Sequence, residues 1–290
     1  MKYIYYPGCS AEATSKAYDL SARAVCKKLG VDLVELEDWN CCGSTSYFSV
    51  RELESFAISA RNLAIAEQMG PYDVVAICNA CYTILAKTNR YLASNSKLKD
   101  EINEALAQAG RWYNGTVKVR HLLDVLVNDV GYEAISEKVA RRLTRLKVAP
   151  YYGCQLSRPN GDFDDPEFPM TLDKLLQAMG AEPVPYPMKA KCCGGMMMFT
   201  QEDAAVKLCY ELLRGAADAE ADLIITACPL CEVNLEAYQS KVNAVFGASF
   251  KIPVLHFTQL VGYSLGCDPK ELALEKQVIP VDAVLAAVPA

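Results

Sequence analysis

The sequence predicts an α/β protein made of two similar domains related by internal duplication. Ten of the thirteen cysteines fall into two copies of one ordered pattern. The first is Cys9, Cys41–Cys42 and Cys78–x–x–Cys81; the second is Cys154, Cys192–Cys193 and Cys228–x–x–Cys231. The intervals match, 31 and 35 residues in the first copy against 37 and 34 in the second. Candidate strands and helices alternate in the same order around each copy. At 290 residues the chain also exceeds ordinary single-domain size. The first domain is placed at 1–145, the second at 146–270, and a C-terminal tail at 271–290.

Each half opens with an apolar aromatic stretch that ends in Gly-Cys: Tyr5-Tyr6-Pro7-Gly8-Cys9 and Tyr151-Tyr152-Gly153-Cys154. A helical stretch follows and closes on glycine, Ser15 to Gly30 and Pro166 to Gly180. Short strands are predicted at Val31–Leu36 and Glu182–Tyr186, each leading into a Cys-Cys-Gly loop. Next comes a longer amphipathic helix. Its stripe in the first half is Val50, Leu53, Ala57, Ala60 and Ala64, and in the second it runs from about Gln201 to Ala219. The unbroken apolar runs Asp73–Cys78 and Asp222–Cys228 suit parallel strands covered on both faces. The CxxC pairs sit where these strands hand over to helices. Each half closes with a strand and a histidine entering a helix, at Val117–His121 and Pro253–His256. Extra helices are predicted at Lys97–Ala109 and Tyr132–Arg145. Alternating strands and helices, with cysteines on turns at strand ends, make each half Rossmann-like.

Apolar content of 52% with 22% charged residues is ordinary globular composition. A net charge of −6 argues against a nucleic-acid binder. No apolar run approaches the roughly 18–20 residues of a transmembrane helix, and no secretory leader is visible. The expected location is cytoplasmic, where thiols stay reduced and a cysteine framework points to metal or redox chemistry.

Zinc sites and conventional iron–sulfur clusters take four protein ligands, whereas each repeat offers five thiols. Adjacent cysteines point in different directions and suit bridging or neighbouring metals better than one tetrahedral ion. Gly43 and Gly194 let the backbone pass close to a bulky inorganic core. This chemistry favours iron–sulfur centres. A zinc-stabilised docking protein and buried core thiols are the alternatives.

On these residues the sequence resembles the B subunit of heterodisulfide reductase, the family of the paired Cys-Cys-Gly domain. The matching segments are Tyr6-Pro7-Gly8-Cys9, Asn40-Cys41-Cys42-Gly43 and Cys78-Asn79-Ala80-Cys81 in the first half. In the second they are Tyr152-Gly153-Cys154, Lys191-Cys192-Cys193-Gly194-Gly195 and Ala227-Cys228-Pro229-Leu230-Cys231, with Phe163-Asp164-Asp165-Pro166 and His256-Phe257-Thr258-Gln259-Leu260. The resemblance implies two noncubane [4Fe-4S] clusters near the interdomain interface. Cys9, Cys41, Cys42, Cys78 and Cys81 would hold the first; Cys154, Cys192, Cys193, Cys228 and Cys231 would hold the second. It also implies reduction or formation of a small-molecule disulfide by two one-electron transfers. The implied partners are the ferredoxin-like C subunit and the flavin-containing A subunit of such a complex. The methanogen proteins carry a Pro-rich segment where this chain reads Gly43-Ser44-Thr45-Ser46-Tyr47-Phe48, closer to the bacterial branch. A non-catalytic electron-relay component of another Cys-Cys-Gly complex, serving sulfur or organic-acid oxidation, is the alternative function.

His121 and His256, the only two histidines, occupy matching places and are candidates for a role near a cluster or as proton donors. Lys189 and Lys191 are placed to meet an anionic substrate or balance cluster charge. Met196-Met197-Met198 suits core packing or the lining of a soft apolar pocket. Cys26 and Cys209 read as small core hydrophobes, and Cys267 as a candidate exposed thiol. The basic run Lys138, Arg141, Arg142, Arg145 and Lys147 reads as a solvated helix face or a docking surface.

Overall fold

Two four-stranded parallel sheets organise the chain in the computed structural model, which describes residues 1–44, 47–158 and 163–288. The first contains β1 (Lys2–Tyr6), β2 (Asp32–Glu35), β3 (Val74–Ala76) and β4 (Val119–His121), in the order β2-β1-β3-β4. The second contains β5 (Lys147–Tyr151), β6 (Glu182–Pro183), β7 (Leu223–Thr226) and β8 (Val254–His256), in the order β6-β5-β7-β8. Strand register matches as well. Tyr6 pairs with Ala76 and Ala76 with His121; Tyr151 pairs with Thr226 and Thr226 with His256. In each sheet the strand order reverses at the central pair, β1/β3 and β5/β7. That is where the carboxyl ends of parallel strands leave a crevice.

Alternate residues of each central strand enter different cores, because strand side chains have a period of two. Ile4, Tyr6, Val74 and Ala76 join one core with Tyr151 and Ile224. Tyr3, Tyr5, Val75 and Ile77 join the other with Val148 and Ile225. Both cores therefore draw on both halves. The helix Lys16–Leu29 of the first half packs on Phe257–Ser264 of the second. Gly262 allows this close approach: a Cβ there would lie 2.3 Å from Leu272 Cδ2 and 3.3 Å from Val25 Cγ2.

Several elements differ from the sequence expectation, each for a local reason. The helix expected over Pro166–Gly180 begins at Thr171. Before it, Asp165 Oδ1 accepts the Glu167 and Phe168 amides, and Asp164 Oδ2 accepts those of Met170 and Thr171, which holds the segment in turns. Strand β6 has two residues because Pro183, Pro185 and Pro187 lack the amide donors a longer ladder needs. The helix expected over Tyr132–Arg145 ends at Glu137. Beyond it the amides of Ala140 and Arg141 bond to Ser264 O, and that of Leu143 to Met179 O, so inter-half bonds replace helical ones. A π-helical turn, Val125–Gly131, precedes it. In the helix Glu52–Met69 the buried stripe is Ser55, Phe56, Ser59, Ala60, Leu63 and Ala64, while Val50 and Leu53 are exposed. Residues 269–286 form short helices, with Leu272, Leu274, Val281 and Leu285 buried. Thr45 and Ser46, part of the departure from the Pro-rich pattern, lie outside the described residues.

Candidate metal centre

Cys9 and Cys154 stand just past the carboxyl ends of β1 and β5, each after a glycine of positive φ, Gly8 at 77° and Gly153 at 72°. A Cβ on Gly8 would lie 3.0 Å from Cys81 Sγ, and one on Gly153 would lie 3.0 Å from Cys231 Sγ. Glycine is thus required twice over, for backbone conformation and for room beside a thiol. Cys78 and Cys228 cap the helices Asn79–Ser94 and Pro229–Glu236, and Cys81 and Cys231 lie in their first turns. Helix N-termini favour negative charge, so these positions suit thiolates. Gly43 and Gly194, after the paired cysteines, have φ of 82° and 88°. A Cβ at either would meet a neighbouring side chain, Ser55 Oγ or Ala205 Cβ, at 2.8 Å.

These turns bring the ten thiols into two matching groups. Cys42 Sγ lies 3.3 Å from Cys81 Sγ, and Cys193 Sγ lies 3.5 Å from Cys231 Sγ. Cys9 stands beside Cys41 and Cys154 beside Cys192, as Cys78 stands beside Cys81 and Cys228 beside Cys231. The groups adjoin at Cys78 and Cys228, one from each half, which are near enough to influence each other's ionisation. All thirteen cysteines are free thiols. In each group three are buried. Cys9, Cys41 and Cys192 reach solvent, and Cys154 is half-buried.

Protonation follows the pairing. Bonds from Cys42 and Cys9, then from the Gly43 and Cys42 amides, hold the Cys41 thiol down at about 2. A bond from Cys154, then one from the Gly194 amide, lowers Cys192 to about 6. Bonds from Cys231 and Cys78 likewise pull Cys228 well down. Their partners Cys9, Cys154 and Cys78 are pushed up. Neighbouring thiols and burial also push Cys42, Cys81 and Cys231 up, so the thiolate character that metal binding needs is concentrated on Cys41 in the first group and on Cys192 and Cys228 in the second. Among the described residues no three His, Cys, Asp or Glu side chains close around a single ion. Pairwise thiols spread around a recess fit an extended inorganic core better than one tetrahedral ion.

Two tyrosines hold these turns, a role that spacing alone does not show. Tyr6 donates its hydroxyl to Asn40 O at 2.8 Å, and Tyr151 donates to Lys191 O at 2.9 Å. Those carbonyls immediately precede Cys41 and Cys192. Both tyrosines stand inside the repeated aromatic-Gly-Cys segment, which is the signal that could have found them. Asn62 adds a bond of 3.0 Å to Asn40 O, and Asn234 bonds to Cys193 O at 3.1 Å and Gly195 O at 3.0 Å.

His121 is fully buried; its Nδ1 accepts from the Leu123 amide at 3.1 Å and its Nε2 lies 3.0 Å from Ile77 O. The first contact makes Nδ1 the acceptor, so Nε2 carries the hydrogen toward the carbonyl. His256 stacks on Tyr18 at 4.1 Å between ring centroids, with Nε2 3.9 Å from Glu232 Oε2. Burial lowers His121 to about 4 and His256 to about 3, so both are neutral near pH 7. Burial, then the neighbouring Glu236, raises Glu232 to about 9 and keeps it protonated.

Lys189 departs from its expected role. Its buried ammonium bonds to Asp173 Oδ1 at 2.7 Å and Pro169 O at 3.0 Å, and Asp173 also accepts the Tyr152 hydroxyl. It ties the Cys154 and Cys192 turns together and does not face a ligand. Lys191 is exposed at the edge of the second group. Met198 is in the core, while Met196 and Met197 line a cavity of about 380 Å³ against the second thiol group. Cys26 and Cys209 are core residues, and Cys267 is buried rather than exposed. The basic run is not a helix face: Lys138 bonds to Lys28 O, Arg141 stacks over Tyr263, and Lys147 pairs with Glu220.

A family model described as the cysteine-rich CCG domain matches residues 3–86 and 148–236, one copy per sheet. The chain is 36% identical over 280 residues to the 8-methylmenaquinol:fumarate reductase membrane anchor subunit of Wolinella succinogenes, covering 96% of this chain and 97% of that one. It is 32% identical over 283 residues to the B subunit of the ferredoxin:CoB-CoM heterodisulfide reductase of Methanosarcina mazei, covering 96% and 94%. Among the described residues no helix is long and apolar enough to cross a membrane. A crystal structure of a hypothetical protein from Helicobacter pylori has the same fold, with TM-score 0.77 and 14% identity. It covers 97% of this chain, which spans about half (52%) of that protein's length.

Proposed function

The chain belongs to the cysteine-rich CCG domain family that includes the B subunit of heterodisulfide reductase, and on that premise we propose that it is the catalytic iron–sulfur component of a heterodisulfide-reductase-like complex. In this reading Cys9, Cys41, Cys42, Cys78 and Cys81 hold one noncubane [4Fe-4S] cluster, and Cys154, Cys192, Cys193, Cys228 and Cys231 hold the other. One observation carries it: two complete groups of five free thiols stand side by side and adjoin at Cys78 and Cys228. Reduction of a disulfide takes two electrons and two protons, RS–SR′ + 2e⁻ + 2H⁺ giving RSH and R′SH. When bound by these cysteines, iron–sulfur clusters would supply electrons one at a time, so a pair of them would match the two electrons required.

The chain's own residues do the positioning. Gly8 and Gly153 open room beside Cys81 and Cys231, while Tyr6 and Tyr151 hold the Cys-Cys turns. The Gly43 and Gly194 amides favour ionised Cys41 and Cys192. Solvent at the exposed edge, near Cys192, supplies protons, since both histidines are buried and neutral. Electrons enter from a ferredoxin-like C subunit, with a flavin-bearing A subunit behind it, in the cytoplasm.

Anaerobically purified protein should contain iron and acid-labile sulfide and reduce a disulfide with an artificial donor. Replacing Cys193 with alanine should abolish that turnover; unchanged turnover would sink any mechanism that needs the second centre.

A second reading rests on the 36% identity to a component of a quinol:fumarate reductase. There the chain would relay electrons while the chemistry occurs elsewhere. Centres that reduce and reoxidise yet give no spectroscopic response to any thiol would favour the relay.

A further inference from the structure

We propose that the outer edge of β4 is a docking groove for an extended, acidic segment of a partner polypeptide. That segment would cover the first sheet's edge as the chain's own residues 277–279 cover the edge of the second. The inference concerns assembly and does not depend on the thiol–disulfide reading above.

The duplication makes the two sheet edges comparable residue by residue. β4 and β8 are both outermost strands, and each is held on its inner side in the same register. The Val74 amide donates to Lys118 O at 2.8 Å, and the Ile224 amide to Pro253 O at 2.9 Å. Beyond the strands the match continues: Asn89 Nδ2 bonds to Val117 O at 2.6 Å, and Gln239 Nε2 to Ile252 O at 2.7 Å. Alternate residues serve the ladder, so Val119 in β4 and Val254 in β8 turn their own amide and carbonyl outward.

On the second half both groups are covered. Glu236 Oε1 accepts the Val254 amide at 3.5 Å, and Gln277 Nε2 donates to Val254 O at 2.7 Å. The amides of Val278 and Ile279 close on the same carboxylate at 3.2 and 3.5 Å. On the first half the residue matching Glu236, five past the second cysteine of the CxxC, is Ala86. Among the described residues nothing bonds to the Val119 amide or carbonyl. A groove of about 670 Å³ lies there instead, lined by Val119, Tyr82 and Ala86. An open strand edge is a template for another chain, and one residue of an extended segment supplies both the missing acceptor and the missing donor.

The lining sets the charge of the occupant. Arg90, Lys118 and Arg120 line the groove with one carboxylate, Asp124. Arg120 is shared between Asp124, at 2.6 Å, and Asp129, which also accepts the Tyr3 hydroxyl. Lys118 is exposed and, among the described residues, joins no ion pair. A carboxylate beside Lys118 would gain a partner, whereas a lysine or arginine there would meet its own charge sign. The chain's own covering segment is committed to β8 through Glu236, so the occupant of the β4 edge is another polypeptide.

The test compares the cluster-loaded chain alone with the anaerobically purified complex that contains it. Amide hydrogen exchange over residues 117–121 should slow at least about tenfold in the complex. Zero-length carbodiimide coupling should join Lys118 to an Asp or Glu of another polypeptide, identified by mass spectrometry. Lys118→Glu should weaken the complex at least about tenfold while iron content and unfolding midpoint stay at parent values. Ala86→Glu, which sets a carboxylate where the second half has Glu236, should weaken it as well by occupying the Val119 amide. Exchange that is the same in the chain and the complex overturns the inference. Lys118 coupled only to a second copy of this chain makes the groove a self-association face and overturns it too. Protection of residues 117–121 with no coupling at Lys118, and no effect of Lys118→Glu, overturns the acidic character of the occupant.

Discussion

Tyr6 and Tyr151 show how single groups set the candidate centre. Each is buried, so its hydroxyl needs a partner. In both halves the partner is the carbonyl before the first paired cysteine. Tyr151→Phe leaves the ring packing intact and removes only the bond to Lys191 O. The expected cost is about 1 kcal/mol of stability, measured by denaturant unfolding, because one part-buried hydrogen bond is lost. A purely structural tyrosine would change nothing more. A positioning tyrosine should also shift the EPR signature or midpoint potential of the second centre while leaving the first unaltered, and an unchanged spectrum would refute that role. The same scale explains a misplaced expectation. Lys189 and Lys191 look alike in sequence, yet Asp173 and Tyr152 capture one and leave the other in solvent.

At the scale of elements, the cysteine-bearing turns were legible because strand ends, helix starts and glycines carry local signals. The helix Lys16–Leu29 ends at Gly30, whose φ of 77° is the left-handed conformation a C-terminal glycine supplies. Gln201 and Ala219 bound the helix Glu202–Asp218. The helix expected over Tyr132–Arg145 was misjudged because its later amides bond to carbonyls more than thirty residues away, which no local pattern encodes. The packing of Lys16–Leu29 on Phe257–Ser264 yields a prediction against ordinary propensity. Alanine normally stabilises a helix interior relative to glycine by about 1 kcal/mol. Gly262→Ala should instead destabilise by about 1–3 kcal/mol, because the added methyl meets fully buried Leu272 and Val25. A raised unfolding midpoint would show that this contact is not tight.

The whole molecule couples the halves through shared cores and through histidines at matching positions. His121 lies against the carbonyls of Ile77 and Ala227, and His256 stacks on Tyr18 of the opposite half. His121 is lowered from 6.5 to about 4 on folding, so the unfolded chain binds its proton first as pH falls. The stability it contributes is complete above pH 6.5 and is lost as pH drops toward 4, at about 1.4 kcal/mol per pH unit. Glu232, raised to about 9, acts in the opposite sense: its contribution is full below its unfolded value and shrinks as pH rises toward 9. The clean measurement is therefore a difference. The stability gap between the parent protein and His121→Asn, which keeps a capping side chain, should shrink by about 1 kcal/mol between pH 6.5 and 5.5. A gap independent of pH would mean that His121 binds its proton equally well in the folded and unfolded chain, and a gap that grows as pH falls would mean that it is charged in the fold.

The sequence by itself determined the duplication, the two sets of five thiols, the α/β alternation and the glycines beside each set. These are local patterns, repeated at matched spacing, and a strand end followed by Gly-Cys reads the same in any context. Only the tertiary structure decided which thiols of the two sets adjoin, namely Cys78 with Cys228. It also decided that the matched histidines are buried and neutral and that Lys189 is consumed by Asp173. The physical reason is common to all of them. Burial, desolvation and charge pairing depend on groups brought together from distant parts of the chain, whereas capping, periodicity and backbone freedom are properties of a few neighbouring residues.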